Sequence, residues 1–505
     1  MKICLVIPPA CGYEHYARFP SLGVLYIASV LEKAGHEVIY RDCLLGGMGY
    51  AEFYRFISEI RPDIVGISVF TESRFSAFEC ARIVKKVSRN IRVVCGGPHA
   101  TTVGYEVLES VPEIDAVIRG EGEYAFREFL ERGPADTKGI TYRENDSIIS
   151  NADHEAVMNL DDLPRPAWHL ANMDLYFKEY IKSHAPYVGI PLAGIITGRG
   201  CSRRCVFCAA PKLAPRIRRH SPQYICDLVK FLIKEYNIRD IYFLDDTFTD
   251  DEKWILLLKE EFEKNDIRLP FQCQGISIMS NKTIDALKDM GCYYIYIGAE
   301  SGSPKVLRAM NKAIRTEDYE RSVRYAAKKG IMVHTHWLVG IPEEDNNDLK
   351  LTLSKIIRLP HHHYSVATLI LFPGTKLSER FVEKDFWKKR ENEISQTMPI
   401  LPNHDHAEVS GNFILLNASL FCFSRALKYI IVLLHENVIK AIFSYIKQIL
   451  GCVFNIKYLP FRANLVSDFI GVLAVGINRL FLIPYRLLKN YKKKTRVAPE
   501  RSNKV

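Results

Sequence analysis

Short runs of β-branched and aliphatic residues alternate with helical stretches over the first part of the chain. Residues 3–7, 37–40, 64–68, 92–95 and 116–118 read as strands, and residues 21–34 and 76–88 carry apolar positions at helical spacing. Runs bounded by glycine and proline and separated by helices predict a doubly wound parallel sheet. Ligands of such sheets bind beyond the carboxyl ends of the strands. The first apolar run is short and soon broken by Pro8 and Pro9, so it reads as a strand rather than a signal peptide.

From 139 to 190 the pattern is irregular. Residues 161–168, with Pro164 and Pro166, read as an extended linker, because proline pushes its predecessor out of the helical region. A second alternation follows, with strands at 193–197, 241–244, 271–274, 294–298, 332–339 and 366–371 and helices such as 222–236 and 251–265. Six such units predict a partial (β/α)6 TIM-type barrel with its chemistry at the C-terminal strand ends. Beyond about 400 the composition changes. Residues 413–488 are rich in Phe, Leu, Ile and Tyr at roughly helical spacing, yet no run reaches the ~18 apolar residues of a membrane span. The predicted organisation is therefore a sheet domain (1–138), a linker (139–190), a barrel (191–400) and a mostly helical C-terminal region (401–505).

The last region has two readings. It is a helical subdomain with its own core, or an interfacial amphipathic segment whose basic tail (Lys489, Lys492, Lys493, Lys494 and Arg496) meets anionic lipid. Much of the formal charge of +10 sits in that tail, which argues against a nucleic-acid platform. The 13 cysteines are odd in number and several fall inside apolar runs, so they do not read as a disulfide framework. A reducing, cytoplasmic setting fits better, with peripheral contact at the inner membrane face as an extension of the interfacial reading.

Three cysteines crowd together. Cys201-Ser-Arg-Arg-Cys205-Val-Phe-Cys208 follows the first predicted barrel strand and the turn Gly198-Arg199-Gly200. Three thiolates on one loop can converge on a soft metal centre. Structural zinc would want a fourth ligand, and no second Cys-x-x-Cys pair lies nearby. A 4Fe–4S cluster on three cysteines would leave one iron open.

Cys-x-x-x-Cys-x-aromatic-Cys after the first strand of a β/α barrel resembles the signature of radical S-adenosylmethionine enzymes. The resemblance implies that Cys201, Cys205 and Cys208 hold the cluster and that its open iron binds the amino and carboxylate groups of S-adenosylmethionine. It also implies that the backbone of Phe207 contacts adenine. Asp245-Asp246-Thr247-Phe248 is similar to the Asp-Asp-x-Phe of cobalamin-dependent members, where the methionine amino group is held; an acidic helix cap is the plain alternative. Glu300, in Gly298-Ala299-Glu300-Ser301-Gly302, matches the position that accepts ribose hydroxyls. Gly340, opening Gly340-Ile341-Pro342-Glu343-Glu344, resembles the segment lying against adenine.

The first domain resembles cobalamin-binding domains. Their fingerprint is Asp-x-His-x-x-Gly, then Ser-x-Leu, then Gly-Gly at successive strand ends. Asp42 to Gly47 retains the Asp and the Gly but carries Leu44 at the histidine position, so any bound cobalamin would lack a protein histidine below cobalt. Ser68-Val69-Phe70 and Gly96-Gly97-Pro98-His99 match the other elements, with Phe70 in place of leucine. Gly120-Glu121-Gly122-Glu123 is also typical and lets the backbone approach a corrin side chain. His99 could be a ligand but reads more simply as a hydrogen-bonding residue.

Taken together, the resemblance implies an enzyme that cleaves S-adenosylmethionine to a 5′-deoxyadenosyl radical and C-methylates a hydrophobic small molecule such as a lipid, isoprenoid or tetrapyrrole. An electron donor such as flavodoxin or ferredoxin is the implied partner. A ring-forming, C–C bond-forming or oxidative enzyme of the same group is the alternative, and a non-catalytic cobalamin or iron–sulfur sensor is a second. His361-His362-His363 reads as a polar loop before the last strand, since adjacent residues point in different directions. His334 and His336, two apart on one strand, should face the same side.

Overall fold

A computed structural model describes residues 1–9, 19–145, 147–183, 191–383 and 385–388. The predicted helical region at 401–505, its interfacial contact and its basic tail lie outside the described residues.

The first sheet has seven strands: β1 (Lys2–Ile7), β2 (Glu37–Asp42), β3 (Ile64–Ser68), β4 (Arg92–Gly96), β5 (Ala116–Ile118), β6 (Ile140–Glu144) and β7 (Ser147–Ser150). Their order is β2-β1-β3-β4-β5-β6-β7, parallel through β5 and antiparallel beyond it. Nearly every residue of β1 and β3 is buried, as expected of parallel strands covered on both faces. The strand order reverses between β1 and β3, so the carboxyl ends of these two strands form the crevice that can take a ligand.

All five predicted strands of this sheet appear, with boundaries moved by no more than two residues. The reading of 139–190 as linker is corrected in part. Residues 140–150 form the β6–β7 hairpin, which adds two strands to the sheet edge, and Met173–Ser183 is a helix. The hairpin is hard to read because neither strand holds a continuous apolar run, β7 is largely exposed, and the turn residue Asn145 takes φ 52°.

The second unit opens with β8 (Leu192–Ile195) and a two-stranded antiparallel clip, β9 (Gly198–Arg199) with β10 (Arg218–Arg219). It continues through β11 (Asp240–Phe243), β12 (Phe271–Gly275), β13 (Cys292–Glu300), β14 (Met332–Val339) and β15 (His363–Thr368). The six long strands run parallel in the order β8-β11-β12-β13-β14-β15, each followed by helix, which is the expected partial barrel. The intervening helices start where capping chemistry places them. Ser221 caps Pro222–Tyr236 by accepting from the Tyr224 amide, and Asp251 caps Glu252–Lys264 by accepting from the Trp254 amide, each at 3.1 Å.

The last strand starts three residues earlier than the periodicity predicts, at His363 rather than 366. His361 and His362 do lie in the loop before it. His362 Nδ1 accepts from the Val333 amide at 3.0 Å, and His361 Nδ1 lies 2.9 Å from Thr335 Oγ1. After the barrel the chain returns to the first domain: Trp387, with Val382 and Phe386, packs into the core under β1, β3 and β4. No helix among the described residues is long and apolar enough to cross a membrane.

Candidate active site between the facing strand ends

The cysteine loop hangs between β9 and β10. At Gly200 the backbone takes φ 92°, and a side chain there would meet the Arg216 carbonyl oxygen at 2.6 Å, so only glycine lets the loop leave the clip. Further on, the loop is tied down along its length. Ser202 donates from its amide and hydroxyl to the Asp250 carboxylate at 3.0 and 2.7 Å. Asn311 donates to the Arg204 carbonyl at 2.8 Å, and the Val206 amide donates to the Met310 carbonyl at 3.0 Å.

Cys205 is 9% exposed, while Cys201 and Cys208 are half-buried. Burial pushes the Cys205 thiol up to about 11, opposed by the Lys312 ammonium, and it raises Cys208 as well. Among the described residues no three His, Cys, Asp or Glu side chains converge on a single metal ion. A cube whose separate iron corners each take one thiolate asks for three cysteines on one loop, which Cys201, Cys205 and Cys208 supply.

The two carboxylates after β11 separate in role. Asp245 is 3% exposed, and its oxygens accept from the Thr197 amide at 3.1 and 3.2 Å and from the Thr197 hydroxyl at 2.8 Å. Burial raises its carboxyl to about 6 despite these bonds. Asp245 thus pins the end of β8 to β11. Asp246 is exposed, with the Gly200 N–H turned toward it. Neither caps a helix, since the next one is capped by Asp251.

Glu300 ends β13 in a left-handed conformation, φ 63°, and its Oε1 lies 2.6 Å from Lys312 Nζ. A side chain on Gly298 would stand 2.4 Å from that oxygen, so the bare backbone there leaves room for the carboxylate to fold back. Lys312 was not legible as a site residue: it lies after a short helix and belongs to none of the strand-end patterns. After β14 the Gly340 amide donates to Glu344 Oε2 at 2.7 Å, and burial raises the Glu344 carboxyl to about 7. Phe207 is half-buried against the main core.

His334 and His336 share the half-buried face of β14, as their spacing predicts. His336 stacks on Tyr296 at 5.8 Å, Tyr296 stacks on Tyr242 at 5.7 Å, and His334 Nδ1 lies 3.0 Å from the Tyr294 hydroxyl. The opposite faces of β13 and β14 are buried. The aromatic and imidazole rings therefore line the inner side of the barrel, and burial lowers the His336 imidazole pKa.

One cavity of about 400 Å³ joins the two domains. Ser68, Phe70, Gly96, Gly97, Gly120 and Gly122 line it from the first sheet, and Gly198, Arg199, Gly200, Asp245 and Asp246 line it from the barrel side. Its inner end is apolar, walled by Leu5, Val24, Ile27 and Phe126 around Gly66. The cavity thus brings together the predicted positions after β3, β4 and β5 with the acidic pair of the second domain, but not those after β2. Phe207, Glu300 and Gly340 lie outside its walls. Leu44 does not line it, and Asp42 is engaged elsewhere: its Oδ2 accepts from the Tyr176 hydroxyl at 2.6 Å and its Oδ1 from the Leu44 amide at 2.9 Å. His99 is fully buried beneath Trp387, with Nδ1 3.2 Å from Thr71 Oγ1, and is not a wall residue either.

A flavodoxin-like sheet facing an open barrel, with a three-cysteine loop beside the shared cavity, defines a two-domain enzyme that handles more than one cofactor. Residues 14–130 match the B12 binding domain and residues 195–356 match the Radical SAM superfamily. An uncharacterized methyltransferase of Pyrococcus horikoshii is 30% identical over 77% of this chain and 86% of its own length. Cytidylyl-2-hydroxyethylphosphonate methyltransferase of Streptomyces wedmorensis is 29% identical over 68% of this chain and 73% of its own. Among solved structures, the cobalamin-dependent S-adenosylmethionine radical enzyme OxsB with aqua-cobalamin bound superposes with a TM-score of 0.68 at 18% identity, over 99% of this chain and 82% of that one. The chain belongs to the cobalamin-binding radical S-adenosylmethionine enzymes, with a 4Fe–4S cluster, S-adenosylmethionine and cobalamin as cofactors.

Proposed function

We propose that the protein transfers the methyl group of S-adenosylmethionine to an unactivated carbon of a small molecule. The observation that carries this reading is the shared cavity, whose walls come from the cobalamin-type strand ends on one side and from the turn leading into Cys201 on the other. When bound, the cluster supplies one electron to cleave the sulfonium and cobalamin serves as the methyl carrier.

The residue roles are assigned from the family resemblance, with the contacts of each side chain as support. Cys201, Cys205 and Cys208 are the iron ligands. Asp246, exposed at the cavity wall, is the carboxylate available to the methionine ammonium, because Asp245 is committed to Thr197. Glu300 accepts ribose hydroxyls, and Lys312 holds its carboxylate in place. The Phe207 backbone and the Gly340 segment lie against adenine. Ser68, Gly96, Gly97, Gly120 and Gly122 receive the corrin and its side chains, and the apolar residues around Gly66 offer a surface for an apolar part of the ligand.

The substrate is a small molecule with a hydrophobic body and some hydrogen-bonding edges, such as an isoprenoid or tetrapyrrole. The inner barrel wall of Tyr242, Tyr296 and His336 supports this, since flat rings with polar rims match such a surface. A reduced flavodoxin or ferredoxin provides electrons. The test is anaerobic reconstitution with cobalamin, S-adenosylmethionine and a reductant, followed by mass spectrometry. Formation of both 5′-deoxyadenosine and S-adenosylhomocysteine, with a product heavier by one methyl, supports the proposal. A ring-closed product without added methyl supports the cyclase reading, and no turnover supports the sensor.

A further inference from the structure

Charged side chains cross between the two domains at the wall of the shared cavity. Glu121 precedes the helix Gly122–Arg132 that follows β5 and Glu123 lies in its first turn, Arg199 ends β9 two residues before Cys201, and Arg218 begins β10. Arg218 donates to both Glu121 oxygens, at 2.6 and 2.9 Å. Arg199 donates to Glu123 Oε1 at 2.6 Å, and its other terminal nitrogen lies 3.3 Å from Glu121 Oε1. The side-chain exposures are 15% for Arg199, 14% for Glu121, 4% for Glu123 and 3% for Arg218, so these are buried ion pairs rather than surface ones. Burial alone would push the Glu121 carboxyl up, yet Arg218 and Arg199 hold it below the usual carboxylate range.

The network continues on both sides. Glu121 Oε2 also accepts from the Val157 amide at 2.8 Å, and Arg218 donates to the Val157 carbonyl at 2.7 Å. The Arg199 guanidinium stands 5.6 Å over the Tyr26 ring, whose hydroxyl lies 3.3 Å from His220 Nε2. Planar guanidinium–carboxylate pairs are directional, and a buried pair tolerates little displacement because a lost partner leaves an uncompensated charge. Glu121, Glu123 and Arg199 line the cavity, and a single residue, Gly200, separates Arg199 from Cys201. The pairs therefore couple the turn at the corrin-side strand ends to the cluster loop through a short and rigid path.

We propose that the Arg199–Glu123 pair, buttressed by Arg218–Glu121, is a positioning device. It fixes the separation of the corrin from the cluster and so sets how S-adenosylmethionine is divided between two fates. This rests on the function proposed above. In methyl donation, the sulfonium passes its methyl group, without its bonding electron pair, to doubly reduced cobalt, and S-adenosylhomocysteine leaves. In radical cleavage, one electron from the reduced cluster breaks the S–C5′ bond. Methionine leaves, and the adenosyl radical takes a hydrogen atom from the substrate to become 5′-deoxyadenosine. The flavodoxin- or ferredoxin-type donor supplies the electrons for both. A small change in spacing changes the two rates unequally, because each needs its own alignment.

The test uses full-length protein reconstituted with cluster and cobalamin, as wild type, Arg199→Met, Arg199→Lys and Glu123→Gln. Pulsed paramagnetic resonance reads the dipolar coupling between Co(II) and the reduced cluster, and mass spectrometry reads the ratio of S-adenosylhomocysteine to 5′-deoxyadenosine. Arg199→Met is expected to keep iron and cobalamin, alter the coupling and shift the ratio about tenfold. Arg199→Lys recovers most of both. Wild-type coupling and ratio in a fully loaded Arg199→Met would overturn the proposal. If that variant loses its cofactors, Glu123→Gln decides on the same readouts, and unchanged values there overturn it too. Wild-type protein that forms no S-adenosylhomocysteine would instead contradict the proposed function, while the dipolar coupling would still read the pair.

Discussion

Lys312 Nζ sits 2.6 Å from Glu300 Oε1, both side chains no more than 14% exposed, where β13 leaves the barrel. Glu300 holds a left-handed backbone there, which a residue with a side chain adopts only when its surroundings compel it. The lysine is part of what compels it.

Lys312→Met should leave Glu300 as an unpaired buried carboxylate. The expected loss of stability is roughly 3–5 kcal/mol, read by denaturant unfolding. Weaker S-adenosylmethionine binding should accompany it, read by calorimetry on the reconstituted protein. A variant with wild-type stability and affinity would show that the pair is incidental.

Asp245 gives a pH signature. Its folded carboxyl is raised to about 6 against an ordinary value of 3.8, so the folded state binds the proton more tightly than the unfolded state does. The ionised form therefore costs stability at neutral pH, and that cost is relieved as pH falls from about 7 to about 4. Compared with Asp245→Asn, the wild type should gain on the order of 2–3 kcal/mol across this window. A difference between the two proteins that stays flat with pH would contradict the burial argument.

Trp387 ties the post-barrel segment to the first domain. It is 7% exposed, edge-on to His99 at 5.7 Å, with the Arg74 guanidinium 5.6 Å above it. Trp387→Ala should destabilise the protein by about 3–5 kcal/mol. An unchanged unfolding midpoint would mean that the segment does not dock.

These cases mark what the sequence could and could not reveal. The five parallel strands of the first sheet and the six of the barrel were legible because each is a short run of strand-forming residues between turn residues; in β1 and β3 that composition follows from burial on both faces, while β13 and β14 alternate a buried with a half-buried face. The β6–β7 hairpin was not, because pairing at an open edge asks for little apolar residue. Strand-end positions such as Ser68, Gly97 and Asp246 were legible because a parallel sheet delivers its carboxyl ends to one place. Lys312, Arg199 and Trp387 were not. Lys312 meets Glu300 across a short intervening helix, and Arg199 and Trp387 meet Glu123 and His99 of the first domain; no local pattern encodes such pairings. The division of labour between Asp245 and Asp246 was equally hidden, since only the Thr197 contact distinguishes them.

Cobalamin in this protein should carry no protein nitrogen on its lower face. Leu44 replaces the usual histidine, and His99 is sealed under Trp387 away from the cavity walls. The bound Co(II) form should show no hyperfine splitting from a protein nitrogen. A clear splitting would show that a histidine reaches cobalt after all.

The most direct test of the central claim is a comparison of wild type with the Cys201→Ala, Cys205→Ala, Cys208→Ala triple variant, each reconstituted anaerobically with iron, sulfide and cobalamin. Iron content, visible absorbance and 5′-deoxyadenosine are measured on the same samples. The predicted result is a cluster and 5′-deoxyadenosine in the wild type, with both lost in the variant while its cobalamin spectrum is retained. A variant that keeps its cluster iron, or still releases 5′-deoxyadenosine, would contradict the account.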